Sequence, residues 1–133
     1  FDLGGLAETV DGACASSLLA LEMAVDRLRL GRSDAAVVGG VFLAQVRPFL
    51  FVFNRLHAVS PSGMIRPMDR RADALVIGEG AGAVVLKRLS DAVAEGDRVY
   101  AVIKGSGTAS DGRRLDVLAP AWQGQLEAVK RAY

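Results

Sequence analysis

Glu8-Thr9-Val10-Asp11-Gly12-Ala13-Cys14-Ala15-Ser16-Ser17-Leu18-Leu19-Ala20-Leu21 opens the stretch that decides the fold, and Asp34-Ala35-Ala36-Val37-Val38-Gly39-Gly40-Val41-Phe42 closes it. Between them Leu18, Leu21, Val25 and Leu28 recur at i, i+3, i+7 and i+10, one apolar stripe along a helix over Ala15 to Leu30. Ser16 and Ser17 lie in its first turn and Gly31 stops it. The apolar run from Asp34 to Phe42 has strand length and reads as a strand covered on both faces. Glu8 to Gly12 reads as a short strand ending at a glycine turn. Strand, helix and strand then form one βαβ unit.

Outward from this unit, Arg47 to His57 reads as a second helix carrying Phe49, Leu50, Phe51 and Phe53. Ser60-Pro61-Ser62-Gly63 is a turn. Met64 to Ala74 is a loop rich in Arg and Asp. Ala81 to Lys87 and Val99 to Lys104 read as strands with a short helix, Ser90 to Glu95, between them. Asp111 to Arg114 is a turn, and Gln123 to Tyr133 a helix with Leu126, Val129, Lys130 and Tyr133 on one face. Helices alternate with buried strands, so the expected class is α/β with a covered sheet.

Composition narrows the function. The 133 residues are 51% apolar, enough to bury a core, which excludes a disordered chain. Sixteen Lys and Arg stand against 15 Asp and Glu, a net charge of +1, so there is no one-signed field to capture nucleic acid or an anionic membrane. One cysteine excludes an internal disulfide and a multi-thiolate zinc site, and one histidine excludes a poly-histidine metal centre. No apolar run reaches the ~20 residues that span a bilayer. A cytoplasmic, reducing setting is expected, with no nucleic acid, membrane or metal partner. Phe1 in place of Met, and a last helix without a stop signal, lead us to expect an internal segment truncated at both ends.

The sharpest chemical signal is Cys14, at the corner between the expected first strand and the helix. Gly12, Ala13, Ala15, Ser16 and Ser17 around it are small, as a nucleophile on a crowded strand–turn–helix corner requires. The free N–H groups at a helix N-terminus favour a thiolate, the reactive form. The N–H of Cys14 itself is placed to donate to an oxyanion formed on a thioester. Local chemistry leaves open a second role for Cys14, a small buried hydrophobe.

Thr9 to Leu21 closely resembles the active-site segment of the β-ketoacyl synthases, the condensing enzymes of fatty acid and polyketide synthesis. The resemblance continues in order. Gly31-Arg32-Ser33-Asp34 with Val38-Gly39-Gly40-Val41 matches a helix-end and strand motif, Val59 to Gly63 the family's LSPDG, and Arg66-Pro67-Met68-Asp69 its basic-x-Phe-Asp. Ile77 to Leu89 matches GEGAGVVVLKRL, and Ala101 to Gly112 the segment that follows. The resemblance implies a thiolase-like layered α/β/α fold, of which residues 1–133 are the central, nucleophile-bearing part. It implies that Cys14 accepts an acyl group and that a malonyl unit on an acyl carrier protein is decarboxylated and attacks it. Both substrates would ride on the carrier's phosphopantetheine arm, with no bound cofactor and a homodimeric parent. The two histidines, lysine and glutamate that assist decarboxylation in the family lie in segments downstream of those matched. The isolated segment is therefore expected to be inactive in condensation and, exposing an apolar face, to aggregate or open.

By the same match Phe53 and Leu75 line the acyl pocket. Leu75 stands where many members carry Phe, which reshapes that pocket, and the Ile77-Gly78-Glu79-Gly80 phrase leans toward polyunsaturated fatty acid synthases alongside modular polyketide synthases. His57 is expected at a surface or helix end. Gly78-x-Gly80-x-Gly82 precedes a strand, not a helix, and reads as a turn rather than a phosphate loop. Arg66, Asp69, Arg70, Arg71 and Asp73 form a solvated loop, with carrier docking as its alternative role. A degradative thiolase shares the corner cysteine but carries Glu-Ser-Met-Ser after the Gly-Gly strand, where this chain has Val41-Phe42-Leu43-Ala44. A non-catalytic partner of a condensing enzyme would have lost the cysteine.

Overall fold

A computed structural model describes residues 2–43, 47–113 and 120–133. In chain order its elements are a 3-10 turn (Ala13–Ala15), α1 (Ser16–Arg29), β1 (Ala35–Phe42), α2 (Arg47–Arg55), β2 (Gly80–Lys87), α3 (Leu89–Glu95) and α4 (Trp122–Ala132). The chain divides into two compact units, Phe1–Val38 with Val84–Tyr133, and Gly39–Ala83. The hydrogen-bonded pair β1–β2 contributes strand residues to both.

In the first unit α1 forms where the apolar stripe places it, but the stripe is buried only in its second half. Ala24, Val25 and Leu28 are buried, Leu21 is half-buried and Leu18 is 67% exposed. Burying Leu28 contributes about 2 kcal/mol. Arg27 and Arg29 in the last turn complement the negative end of the helix dipole. Gly31, at φ +65°, then supplies the left-handed residue that lets its N–H reach Leu28 O (3.2 Å) and the Arg32 N–H reach Arg27 O (2.9 Å). Arg88 ties this end to the start of α3. Its guanidinium donates to Leu28 O (3.2 Å), Ser33 O (2.7 Å), Asp34 Oδ1 (2.7 Å) and Asp91 Oδ2 (2.7 Å). The hydrogen bond to Asp34 is the main force raising the Arg88 pKa. Lys87 pairs with Glu95 and with Asp97 (2.8 Å), and these pairings raise its pKa.

Two expected strands are absent. Glu8 to Gly12 forms no ladder, and at its end the Gly12 N–H is taken by Ser16 Oγ (2.9 Å). Val99 to Lys104 likewise forms no ladder, and the Lys104 carbonyl accepts instead from the Arg29 guanidinium (3.3 Å). A strand exists only through its pairing. The expected βαβ unit is thus reduced to turn, helix and strand. Within these 133 residues one part of β1 is covered and another is not. Val38 is buried, whereas Val37 is 63% and Val41 72% exposed.

The second unit holds α2, the Ser60 turn and the Arg/Asp loop. The ring centroids of Phe42 and Phe49 lie 5.5 Å apart and those of Phe49 and Phe53 4.4 Å apart, an aromatic run of favourable geometry. α2 closes with His57 at φ +51°, its N–H on Asn54 O (3.0 Å) and the Ala58 N–H on Phe53 O (2.9 Å). This is a helix-end position, as expected for His57. Val59 and Leu75 then form a parallel bridge, through Ser60 N–H to Leu75 O (2.7 Å) and Leu75 N–H to Ala58 O (3.0 Å). Buried Ser60 donates to Asp73 Oδ1 (2.6 Å), and the Ser62 N–H reaches Asp73 Oδ2 (3.3 Å).

These bonds, the Ser60 hydroxyl first, hold the Asp73 carboxyl below its ordinary pKa. A depressed carboxylate stabilises the fold above about pH 4, and this contribution is lost as pH falls through the native value. Asp73→Asn is therefore expected to lower stability at pH 7 more than at pH 2. Urea unfolding of both forms across that range checks it, and a gap independent of pH would contradict it.

Candidate active site

The corner before α1 is built from its own side chains. Ala13 adopts φ +52°, in the left-handed region, which costs an L-residue about 1–2 kcal/mol. The Ala13 N–H donates to Asp11 Oδ1 (2.9 Å). Ser16 Oγ accepts from the Gly12 N–H (2.9 Å) and donates to the Ala13 carbonyl (2.6 Å), with Asp11 Oδ1 a longer alternative acceptor at 3.5 Å. Backbone bonds from Ala15 N–H to Gly12 O (3.1 Å) and from Ser16 N–H to Ala13 O complete the turn. Cys14 sits at its middle, a free thiol exposed to solvent. Its amide has no acceptor among the described residues, whereas the amides of Gly12, Ala13, Ala15 and Ser16 are all engaged. The corner therefore presents a thiol and an unspent N–H donor side by side. Within these 133 residues Cys14 is exposed rather than buried.

Phe53 and Leu75 fall in the other unit from Cys14. Phe53 is half-buried against Phe49, and Leu75 is 55% exposed while its backbone holds the bridge to Val59. The second unit also contains a cavity of about 320 Å³ lined by Asn54, His57, Val59, Ser60, Pro61 and Asp73. The pairing of Ser60 with Asp73 there is not legible from the sequence, since the two stand 13 positions apart in separate turns. In the Arg/Asp loop Asp69 pairs with Arg71 (2.9 Å), which lowers the pKa of the first and raises that of the second, while Arg70 is exposed. Gly80 and Gly82 lie within β2 itself, which corrects the turn expected over Gly78–Gly82, and no helix opens on this segment as a phosphate loop requires. Among the described residues no three His, Cys, Asp or Glu side chains gather as a metal site, and no helix is long and apolar enough to cross a membrane.

Residues 1–92 match the family pattern described as the N-terminal domain of β-ketoacyl synthases. The chain belongs to the β-ketoacyl synthase family. Its relatives include a hybrid PKS-NRPS synthetase of Gloeophyllum trabeum, 43% identical over 99% of this chain and 8% of that protein. Another is a 6-methylsalicylic acid synthase of Aspergillus niger, 43% identical over 98% of this chain and 7% of that protein. A phenolphthiocerol/phthiocerol polyketide synthase of Mycobacterium tuberculosis is 46% identical, again over 98% of this chain and 7% of that protein. Among solved structures, a mutant of the ketosynthase from module 6 of the Bacillus subtilis bacillaene synthase superposes with a TM-score of 0.94 at 37% identity. The match covers 99% of this chain and 23% of that one. A β-ketoacyl synthase from Burkholderia phymatum gives a TM-score of 0.81 at 32% identity, covering 98% of this chain and 34% of that one. The α/β, thiolase-like fold expected from the sequence is therefore the fold of this β-ketoacyl synthase segment. The chain spans less than a tenth of the length of these three synthase relatives.

Proposed function

We propose that the chain is the nucleophile-bearing part of a β-ketoacyl synthase domain that condenses an acyl thioester with a malonyl thioester borne by an acyl carrier protein. The observation that carries this reading is the exposed Cys14 in the turn entering α1, in a chain of this family. In the first half-reaction the Cys14 thiolate attacks the thioester carbonyl carbon. A bond from Sγ to that carbon forms, the bond to the phosphopantetheine sulfur breaks, and the departing thiolate takes up a proton. The Cys14 N–H donates to the oxygen that carries negative charge in between. In the second half-reaction the malonyl group loses CO2 and the electron pair of the broken bond forms an enolate. The enolate carbon attacks the acyl carbon, Cys14 leaves as a thiolate, and a β-ketoacyl thioester remains on the carrier.

Phe53 and Leu75 are proposed to shape the acyl pocket. The histidines, lysine and glutamate that the resemblance implies for decarboxylation belong to family segments beyond those matched here. His57, the one histidine of these 133 residues, is exposed at the end of α2. The acyl carrier protein is the partner, and the family reading makes the synthase a homodimer. The polyketide synthases among the relatives favour a polyketide over a polyunsaturated fatty acid product.

The test uses the full-length protein and an acetyl-phosphopantetheine thioester. Peptide mass spectrometry is expected to find one acetyl group on the peptide that contains Cys14. Acetylation elsewhere, with Cys14 unmodified, would sink the proposal.

A further inference from the structure

We propose that Ser16 and Asp11 are positioning residues that aim the Cys14 amide at the reacting carbonyl oxygen. The inference rests on the reading of Cys14 as the acyl acceptor and names what orients it. The two peptide planes on either side of the Ala13 Cα fix its φ and ψ, and each plane is held by one of these side chains. Asp11 Oδ1 takes the N–H of the plane before it (2.9 Å), and the Ser16 hydroxyl donates to the carbonyl of the plane after it (2.6 Å), beside the Ser16 N–H that donates to the same carbonyl. Ser16 Oγ also accepts from the Gly12 N–H (2.9 Å), so one hydroxyl spans the turn. The plane that carries the Ala13 carbonyl also carries the Cys14 N–H. In a trans peptide the two point in opposite directions, so holding the carbonyl sets the line of the amide. Ala13 at φ +52° has a steric incentive to leave the left-handed region, and a relaxed Ala13 would rotate that plane. Ser16 and Asp11 touch neither substrate nor reacting atoms; they act through Ala13.

The experiment compares two reactions of Cys14 in the full-length protein. Acylation by an acetyl-phosphopantetheine thioester develops an oxyanion, whereas alkylation by iodoacetamide does not. Ser16→Ala is expected to slow acylation by about tenfold, in line with the loss of one directed hydrogen bond, while alkylation changes less than twofold. Ser16→Thr, which keeps the hydroxyl, is expected to restore acylation. Asp11→Ala and Asp11→Asn repeat the comparison independently should Ser16→Ala fail to fold, since Asn retains an acceptor oxygen. Wild-type acylation in Ser16→Ala would overturn the proposal, as would an equal fall in both reactions or no rescue by Thr. Wild-type protein that alkylates at Cys14 yet never acylates there would overturn the underlying reading instead.

Discussion

Cys14→Ala is expected to reduce condensation by the full-length synthase by at least about 10³-fold, because no other group takes over a covalent nucleophile's role. The substitution removes a single sulfur atom, and the side chain is exposed within these 133 residues, so the melting temperature is expected to stay within about 2 °C of wild type. The pairing of a large kinetic loss with a negligible stability change separates a chemical role from a structural one. Product formation followed by mass spectrometry, beside thermal unfolding of the same preparations, reads both. Retention of more than a tenth of the wild-type rate would remove Cys14 from the mechanism.

The second large effect is on stability. Gly107→Ala is expected to destabilise the first unit by about 1–3 kcal/mol, the usual range for forcing extra volume into a filled space. A Cβ on Gly107 would run into the Ala128 carbonyl of α4, 2.7 Å from the Ala132 amide nitrogen and 2.9 Å from the Arg131 Cβ. Two of these are helix backbone atoms, which cannot yield without breaking the i to i−4 ladder. α4 must instead lift away, loosening the contact that Arg131 makes with the Thr108 carbonyl (2.7 Å). Gly80→Ala is the control, since nothing lies within 4 Å of its added methyl. Equal urea midpoints for the two variants would show that α4 does not rest on this segment.

Local patterns that need only a few neighbouring residues were readable in advance. The spacing of Leu18, Leu21, Val25 and Leu28 placed α1 within a residue of its limits, and Gly31 marked its end, because helix pairing is internal to the segment. The apolar run before Phe42 and the one before Arg88 became β1 and β2. Thr9-Val10 and Val99 to Lys104 have the same strand-like composition but form no strand, since composition does not choose a partner. The expected turn at Asp111 to Arg114 extends past the described residues, which stop at Arg113 in this region.

The sequence by itself determined the family, the identity of Cys14 as the candidate nucleophile and the position of the helix behind it. Each of these is written in residue types at short, fixed spacings. Only the tertiary structure decided that Ala13 turns left-handed, that Ser16 and Asp11 hold it there, that Ser60 meets Asp73, and that α4 lies against Gly107. These outcomes depend on which backbone planes and distant segments come into contact, and that is settled by competition for hydrogen bonds and space across the folded chain.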